Sequence, residues 1–446
     1  MFHKRSIHFP IGLLFGLLAS PAFSNAGNEL ETLIREGLQS SIAIKTQNIT
    51  ADQAKLATKS TYGNLLPTLT LSTGRTSSSA ETMSSGDIYK TSTDTNSADI
   101  SGSWTLWDNF SNIRQIRVAK INEQIEAIKR SRESETFVLS LIDTYFEYLL
   151  YLRRAEVLEQ QLEQARWIHK ESLALVKAGA RTEIEALDTE IQVLNSERDL
   201  MELNQNIKTT LRSIQVLMNK EENYLIPHLN LLDLQPYFMK KFPPVLKVLR
   251  GVSSDQILAG TMDYKISKLG LDATLERLKQ TELGYWPTTS IRLSHSYNLD
   301  NYVQDEPAGG KRSGLNSTTL SLNLTWQVWD WWNTQRTIES SQMDYQTSSL
   351  RFRDEIQNSR AKFETYLENY DITVKSLEAS EKAVDKALKQ LDFSREMYRL
   401  GRINLLSMQQ ATSRLYDAQI SIASRKKALY VLAARLINYQ GQTLIP

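Results

Sequence analysis

The sequence predicts a mainly α-helical chain with four β-strands that cannot close a sheet on their own. Three observations carry this. Two stretches of about 70 residues contain no proline and no turn cluster, four short stretches alternate apolar and polar residues with period two, and one set of each falls in either half of the chain.

The duplication is read from position. GNLLPTLTLSTG (Gly63 to Gly74) returns as GYWPTTSIRLSHSY (Gly284 to Tyr297), SWTLWDNFSNIRQ (Ser103 to Gln115) as TWQVWDWWNTQRT (Thr325 to Thr337), and VKAGARTEIEALD (Val176 to Asp188) as YRLGRINLLSMQQ (Tyr398 to Gln410). Pro67 and Pro287, Trp107 and Trp329, and Gly179 and Gly401 are separated by 220 to 222 residues, so one unit of half the chain occurs twice. Two long copies do not make a solenoid.

The elements follow in order. Lys4 and Arg5, the apolar run Ile11 to Leu18 and the small residues Ala22, Ser24 and Ala26 match a secretory signal over 1–26, cleaved near Ser24 or Ala26. A helical stretch, 27–62, precedes Pro67, which ends it and suits a strand's first position. Strand pairs are expected over 63–106 and 284–328. Ile100, Gly102, Trp104 and Leu106 share one parity, as do Leu320, Leu322, Leu324, Trp326 and Val328. Ser-, Thr-, Asp-, Asn- and Gly-rich segments 77–97 and 298–316 are expected to be exposed loops between the strands. Asp108 to Lys177 and Asp330 to Leu400 each read as one helix of roughly 100 Å at about 1.5 Å per residue. Gly179 and Gly401 stand where a left-handed residue ends a helix. On the return limbs Leu415, Ala418, Ile422, Leu429, Leu432 and Leu436 form an apolar seam broken by Arg425, and Leu187, Ile191 and Leu194 begin another, so the helices pack along their length.

Composition excludes several functions. With 52 basic and 51 acidic residues there is no charge argument for nucleic acid, and with no cysteine there is neither a disulfide framework nor a thiol for a lipid anchor. His169, His228 and His295 lack metal-ligand spacing, and no phosphate-binding glycine loop is present, so no enzyme, metal or cofactor is expected. Beyond the leader no apolar run approaches the roughly 20 residues of a spanning helix, so any membrane crossing falls to the strands. An open strand edge in lipid leaves backbone groups unsatisfied at several kcal/mol each, so a four-stranded set requires other copies of the chain. Trp104, Trp107, Trp286, Trp326, Trp329, Trp331 and Trp332 lie near strand ends, which fits an interfacial aromatic girdle; ordinary core aromatics are the alternative.

On the duplication, the proline-led strand pairs, the LWD and VWD junctions (Leu106 to Asp108, Val328 to Asp330) and the two glycine turns, essentially the whole mature chain resembles the TolC-like outer membrane factor, or outer membrane efflux protein, family. The resemblance implies a homotrimer in the outer membrane of a Gram-negative bacterium. Twelve strands would form one barrel in the lipid bilayer, and a periplasmic helical barrel (27–62, 107–283 and 329–446) would continue it, with an equatorial segment near 220–262. It implies a passive exit duct for efflux or type I secretion, joined to an inner-membrane transporter by a periplasmic adaptor.

It also implies site residues. The helix turns with Gly179, Arg181, Gly401 and Arg402 would dock the adaptor, and Glu185, Asp188, Tyr398, Ser407 and Gln410 fall at the positions of the periplasmic aperture. The family's basic tether falls on Ile403, beside Arg402, and Ser407 and Gln410 are uncharged where gate carboxylates would stand; Glu183, Glu185 and Asp188 are the acids that remain. Those acids equally suit the positive start of a helix, which is worth about 0.3 to 1 kcal/mol each. The opposing functional class is an exported coiled-coil adhesin or envelope scaffold without channel activity; one continuous apolar parity on every strand separates the two.

Overall fold

The computed structural model describes residues 22–84, 87–229, 242, 246–251, 253–303, 311–312 and 316–439; most of the leader and much of the equatorial segment lie outside them. Helices α1 (Ala22–Ser40) and α2 (Ile42–Gly63) lead to strands β1 (Thr68–Ser84) and β2 (Asp87–Trp107). Then come α3 (Ser111–Lys177), α4 (Glu183–Leu217), α5 (Ser254–Gly260) and α6 (Met262–Thr281). The second strand set is β3 (Thr288–Val303), β4 (Lys311–Arg312) and β5 (Ser317–Thr325), followed by α7 (Asn333–Arg399) and α8 (Leu405–Tyr439). The duplication is metrically close: α3 and α7 have 67 residues each, α4 and α8 have 35 each. None of the described helices is long and apolar enough to cross a membrane.

Two compact units divide the chain. The first to consider contains Lys45–Glu133 and Leu258–Ala361. Its strands are antiparallel in the order β1-β2-β3-β5, with β4 on the same edge of β3 and in the same register as β5. That register decides the faces. Leu71 lies opposite Ile100 and Ile100 opposite His295; Leu69 opposite Gly102, Gly102 opposite Leu293 and Leu293 opposite Leu320; Trp104 opposite Ile291 and Ile291 opposite Leu322. The apolar parity of every strand therefore falls on one face. The other face carries rows such as Thr70, Ser101, Ser294 and Thr319.

Several boundaries differ from expectation. The described residues of the segment 77–97 form no loop: β1 and β2 stay paired from Ser77 opposite Asp94 to Ser84 opposite Asp87. Alternating Ser and Thr are β-competent, and cross-strand pairing outweighs the loop-like composition. Likewise β3 runs on to Val303, into the expected loop 298–316, the rest of which lies largely outside the described residues. At the other end β5 stops at Thr325, so Trp326 and Val328 keep the strand parity without belonging to the strand. The expected helix 27–62 is two helices: α1 begins at Ala22, inside the expected leader, and the chain breaks at Ser41.

Between strand and long helix the chain makes a turn without glycine. Asn109 and Phe110 (φ 59° and 67°) and Trp331 and Trp332 (φ 56° and 58°) are consecutive left-handed residues at equivalent places in the two repeats. This conformation is costly for non-glycine residues, and the caps hold it. Asp108 Oδ2 accepts from Asn112 N at 2.7 Å, and Asp330 Oδ2 from Thr334 N at 2.7 Å. The Asp330 carboxyl is held below its ordinary range by the Thr334 hydroxyl and amide.

The other unit comprises the described residues of Met1–Ile44, Ser134–Ile257 and Lys362–Pro446. Its core gathers Leu33 and Ile34 of α1, Leu141, Tyr145, Phe146 and Tyr148 of α3, Ile214 of α4, Phe363 of α7 and Tyr430, Ala434 and Leu436 of α8. Here the return limbs behave differently. In the α8 seam Leu415 and Leu436 are buried and the others half-buried, whereas Leu187, Ile191 and Leu194 of α4 are exposed, Leu194 by 58 %. The expected packing of that second seam is thus absent among the described residues of one chain; α4 buries Ala186, Thr189, Ser196 and Leu203 instead.

Candidate functional site: the helix turns and the strand ends

Both helix hairpins turn on the same backbone. Gly179 and Gly401 have φ of +71° and +70°, in open space. Ala180 N donates to Leu175 O and Gly179 N to Val176 O, both at 2.9 Å; Arg402 N to Met397 O and Gly401 N to Tyr398 O repeat the pattern, also at 2.9 Å. These are paired bonds that close helix ends on a left-handed residue, which glycine supplies without a Cβ penalty.

The side chains at the two turns differ. Tyr398, from α7, is fully buried in a cluster of Ile168 (α3), Leu391 (α7), Met408 and Ala411 (α8). Its hydroxyl donates to Glu185 Oε1 of α4 at 3.4 Å. Arg181 pairs with Glu185 at 3.5 Å, lies 5.8 Å from the Tyr398 ring and donates to Ile403 O at 3.4 Å. Burial, and then the Glu185 carboxylate, push the Tyr398 hydroxyl up to about 12. The structure thus brings together Arg181, Glu185 and Tyr398, and the basic side chain beside Tyr398 comes from the first repeat, where Arg181 stands at the position equivalent to Ile403. Arg402 is exposed, as are Asp188, Ser407 and Gln410. Gln410 lines a groove of about 270 Å³ with Gln161, Gln192 and Gln409. The helix-start reading also has support: Glu183 and Glu185 lie in the first turn of α4, while in α8 Asn404 Oδ1 accepts from Ser407 N at 2.9 Å.

All seven strand-associated tryptophans lie toward the sheet end from which the long helices start, and all are exposed, Trp331 by 73 %. Trp104 Nε1 donates to Leu65 O at 2.9 Å and Trp326 Nε1 to Tyr285 O at 3.1 Å. Trp329 stacks edge-on with Trp331 and Trp332. Sequence reasoning missed Asn109. Its amide accepts from Trp107 Nε1 and donates to Pro287 O, each at 2.9 Å, and so joins the two strand pairs; an Asn directly after the LWD junction was the only signal.

Among the described residues the sheet has one apolar face and two unpaired edges, and its strands lead into very long helices, a pattern that suits a membrane protein. The chain matches the outer membrane efflux protein family model over residues 33–220 and 254–442, one segment for each repeat, and it belongs to that family. It is 21 % identical over 374 residues to the outer membrane protein TolC of Salmonella enteritidis, covering 80 % of this chain and 72 % of TolC. Among solved structures, it is similar in fold to the VceC outer membrane protein of Vibrio cholerae (TM-score 0.73, 13 % identity, 93 % of this chain and 97 % of VceC). It is also similar to the CmeC outer membrane channel of Campylobacter jejuni (TM-score 0.74, 12 % identity, 99 % and 93 %). Its fold is that of the family's trimeric channels, with a β-barrel in the outer membrane and a helical barrel in the periplasm, and its role is that of an efflux exit duct.

Proposed function

We propose that three copies of this chain close a twelve-stranded barrel and serve as the outer membrane exit of a tripartite efflux assembly, reached through a periplasmic adaptor from an inner-membrane transporter. The observation that carries it is the cross-strand register, which aligns the apolar residues of β1, β2, β3 and β5 on one face while β1 and β5 remain edges among the described residues.

The repeats also support a position for the neighbouring copies. Helix α6 touches both long helices: Glu276 pairs with Arg114 of α3 at 3.0 Å, and Thr281 meets Ser341 of α7 at 3.2 Å. Helix α2, its counterpart, bonds α3 through Thr58 and Ala119 O at 3.3 Å, but Ile49 and Leu56 on it are 61 % and 63 % exposed. By the repeat, α7 of another copy belongs on that flank, and Met343 and Leu350 of α7 are likewise exposed. A homotrimer in detergent is the expected result, and a monodisperse, detergent-free monomer of the mature chain sinks the reading.

At the turns, Gly179, Arg181, Gly401 and Arg402 form the adaptor's docking surface, and Arg181, Glu185 and Tyr398 latch the aperture shut. Since Arg181 neutralises Glu185, cation preference falls mainly to the exposed Asp188. In planar bilayers Glu185→Gln is expected to raise conductance and Asp188→Asn to weaken cation selectivity. Ser407 and Gln410 contribute no charge, and the tryptophans anchor the barrel at the periplasmic interface. Unchanged conductance and selectivity in both variants would return Glu185 and Asp188 to a helix-start role. Copurification of the native complex tests the adaptor and transporter.

A further inference from the structure

The β1–β2 hairpin outlasts the apolar face. On that face the continuous apolar rows end at Leu71, Ile100 and His295, and apolar residues return only near the hairpin end, where Met83 is paired with Ile88. The next row outward holds Thr73, Ala98 and Tyr297, then Arg75 stands opposite Asn96, and Ser77 opposite Asp94. Pairing continues without interruption to Ser84, so β1 runs on past Thr73 for about 40 Å at about 3.4 Å per residue. Residues 72–79, STGRTSSS, and 91–97, TSTDTNS, contain no large apolar side chain.

We infer that the outward face of this hairpin, from Thr73 to Ser77 and from Asp94 to Ala98 with Tyr297 beside it, binds the sugar-phosphate headgroups of the outer-leaflet glycolipid. The inference rests on the barrel reading, because continuity places the surface. Residues two apart along a strand share a face, so the face that meets acyl chains at Leu69 and Leu71 meets the headgroup layer one and two rows further out. No tryptophan marks this end of the sheet; instead His295 and the half-exposed Tyr297 lie 4.7 Å apart, edge to face, at the limit of the apolar rows.

The chemistry fits a phosphosugar better than a simple lipid headgroup. Asn96 offers an amide that donates and accepts, while the hydroxyls of Thr73 and Ser77, which donate to Ser97 O at 3.1 Å and to the Asp94 carboxylate, keep lone pairs that accept from sugar hydroxyls. Arg75 supplies the cation. Its bond to Asp94 at 3.3 Å is solvent-exposed, with side-chain exposures of 69 % and 40 %, and such a pair is worth only about 0 to 1 kcal/mol. The remaining guanidinium donors match a phosphate. A rigid paired hairpin also presents these groups with less ordering cost than the loop its composition suggests.

The test titrates purified lipopolysaccharide into the delipidated, detergent-solubilised full chain, with phosphatidylglycerol as the sugar-free anion. Saturable binding of lipopolysaccharide with a raised melting midpoint is expected, weakened at least fivefold in Arg75→Gln with Ser77→Ala. The control Thr76→Ala with Ser78→Ala, on the other face of the same strand, is expected to bind as the wild type does. Equal binding by both double variants overturns the inference, and so does phosphatidylglycerol binding equally well. An oligomeric wild type that binds no lipopolysaccharide removes this inference alone; a monomeric wild type removes the barrel reading with it.

Discussion

The two repeats have nearly the same backbone and different chemistry. Their glycine turns agree to within a degree in φ and share the same pairs of closing hydrogen bonds, and their strand-to-helix turns use left-handed residue pairs within about ten degrees of each other. At equivalent places, however, Arg181 faces Ile403, Glu185 faces Ser407, Asp188 faces Gln410 and Asn109 faces Trp331. Arg181 even donates to the carbonyl of its own counterpart, Ile403. Backbone geometry at a turn is set by local torsions and hydrogen bonds, which two sequences can satisfy alike. Side-chain partners need not be repeated, because in one chain the first turn meets the second only once. The difference teaches that the fold is duplicated and the Arg181–Glu185–Tyr398 cluster is not.

The strongest way to break this comparison is in the sheet. Leu322 and Ile100 are equivalent, and both lie on the apolar face, opposite Ile291 and between Leu71 and His295 respectively. Leu322→Arg and Ile100→Arg are each expected to cost about 2 to 4 kcal/mol of folding in bilayers, and Asn323→Arg and Ser101→Arg, on the other face, distinctly less. Equal costs on both faces would reverse the assignment.

The turns come next. A Cβ at Gly179 or Gly401 meets no neighbour, so Gly179→Ala and Gly401→Ala should each cost only the left-handed torsion, about 1 to 2 kcal/mol, seen as faster hydrogen exchange in the flanking helix ends. Matched losses would support equivalence, and a loss in one alone would break it.

Smaller effects should separate the repeats. Tyr398→Phe removes a long hydrogen bond and is expected to cost about 0.5 to 1.5 kcal/mol locally, whereas Ser407→Ala, at the position equivalent to Glu185, leaves the Tyr398 environment unchanged by ultraviolet titration. The Tyr398 hydroxyl has its folded value raised from 10.0 to about 12. A raised value means the stabilisation is complete below pH 10 and is lost as pH rises toward 12, so the packing around Tyr398 should loosen in that alkaline window. Glu185→Gln should lower the transition, because the carboxylate opposes the phenolate. A Tyr398 transition unmoved by Glu185→Gln would mean that burial alone sets it.

Much of this was legible in the sequence, for physical reasons. Helix length followed from the absence of proline and turn residues between Ser111 and Lys177, and the strand faces from the parity of Leu320, Leu322 and Leu324. The left-handed glycines followed from residue type. The left-handed pairs at Asn109–Phe110 and Trp331–Trp332 were not legible, since of the four only Asn109 has a side chain that favours that torsion, and Phe110, Trp331 and Trp332 give no such signal. The hairpin over 77–97 was misread because serine and threonine are as common in loops as in strands, and only a partner strand distinguishes them.

The sequence by itself determined the duplication, the long helices, the one-sided strands and the turn positions, because each depends on a local preference or on a period along the chain. Tertiary structure alone decided which parities share a face across four strands, that Arg181 rather than Arg402 meets Glu185 and Tyr398, that Asn109 joins the strand pairs, and that Leu187, Ile191 and Leu194 find no cover among the described residues of one chain. Each of these is a pairing between residues distant in sequence, and a one-dimensional pattern names the residues that need partners without naming the partners.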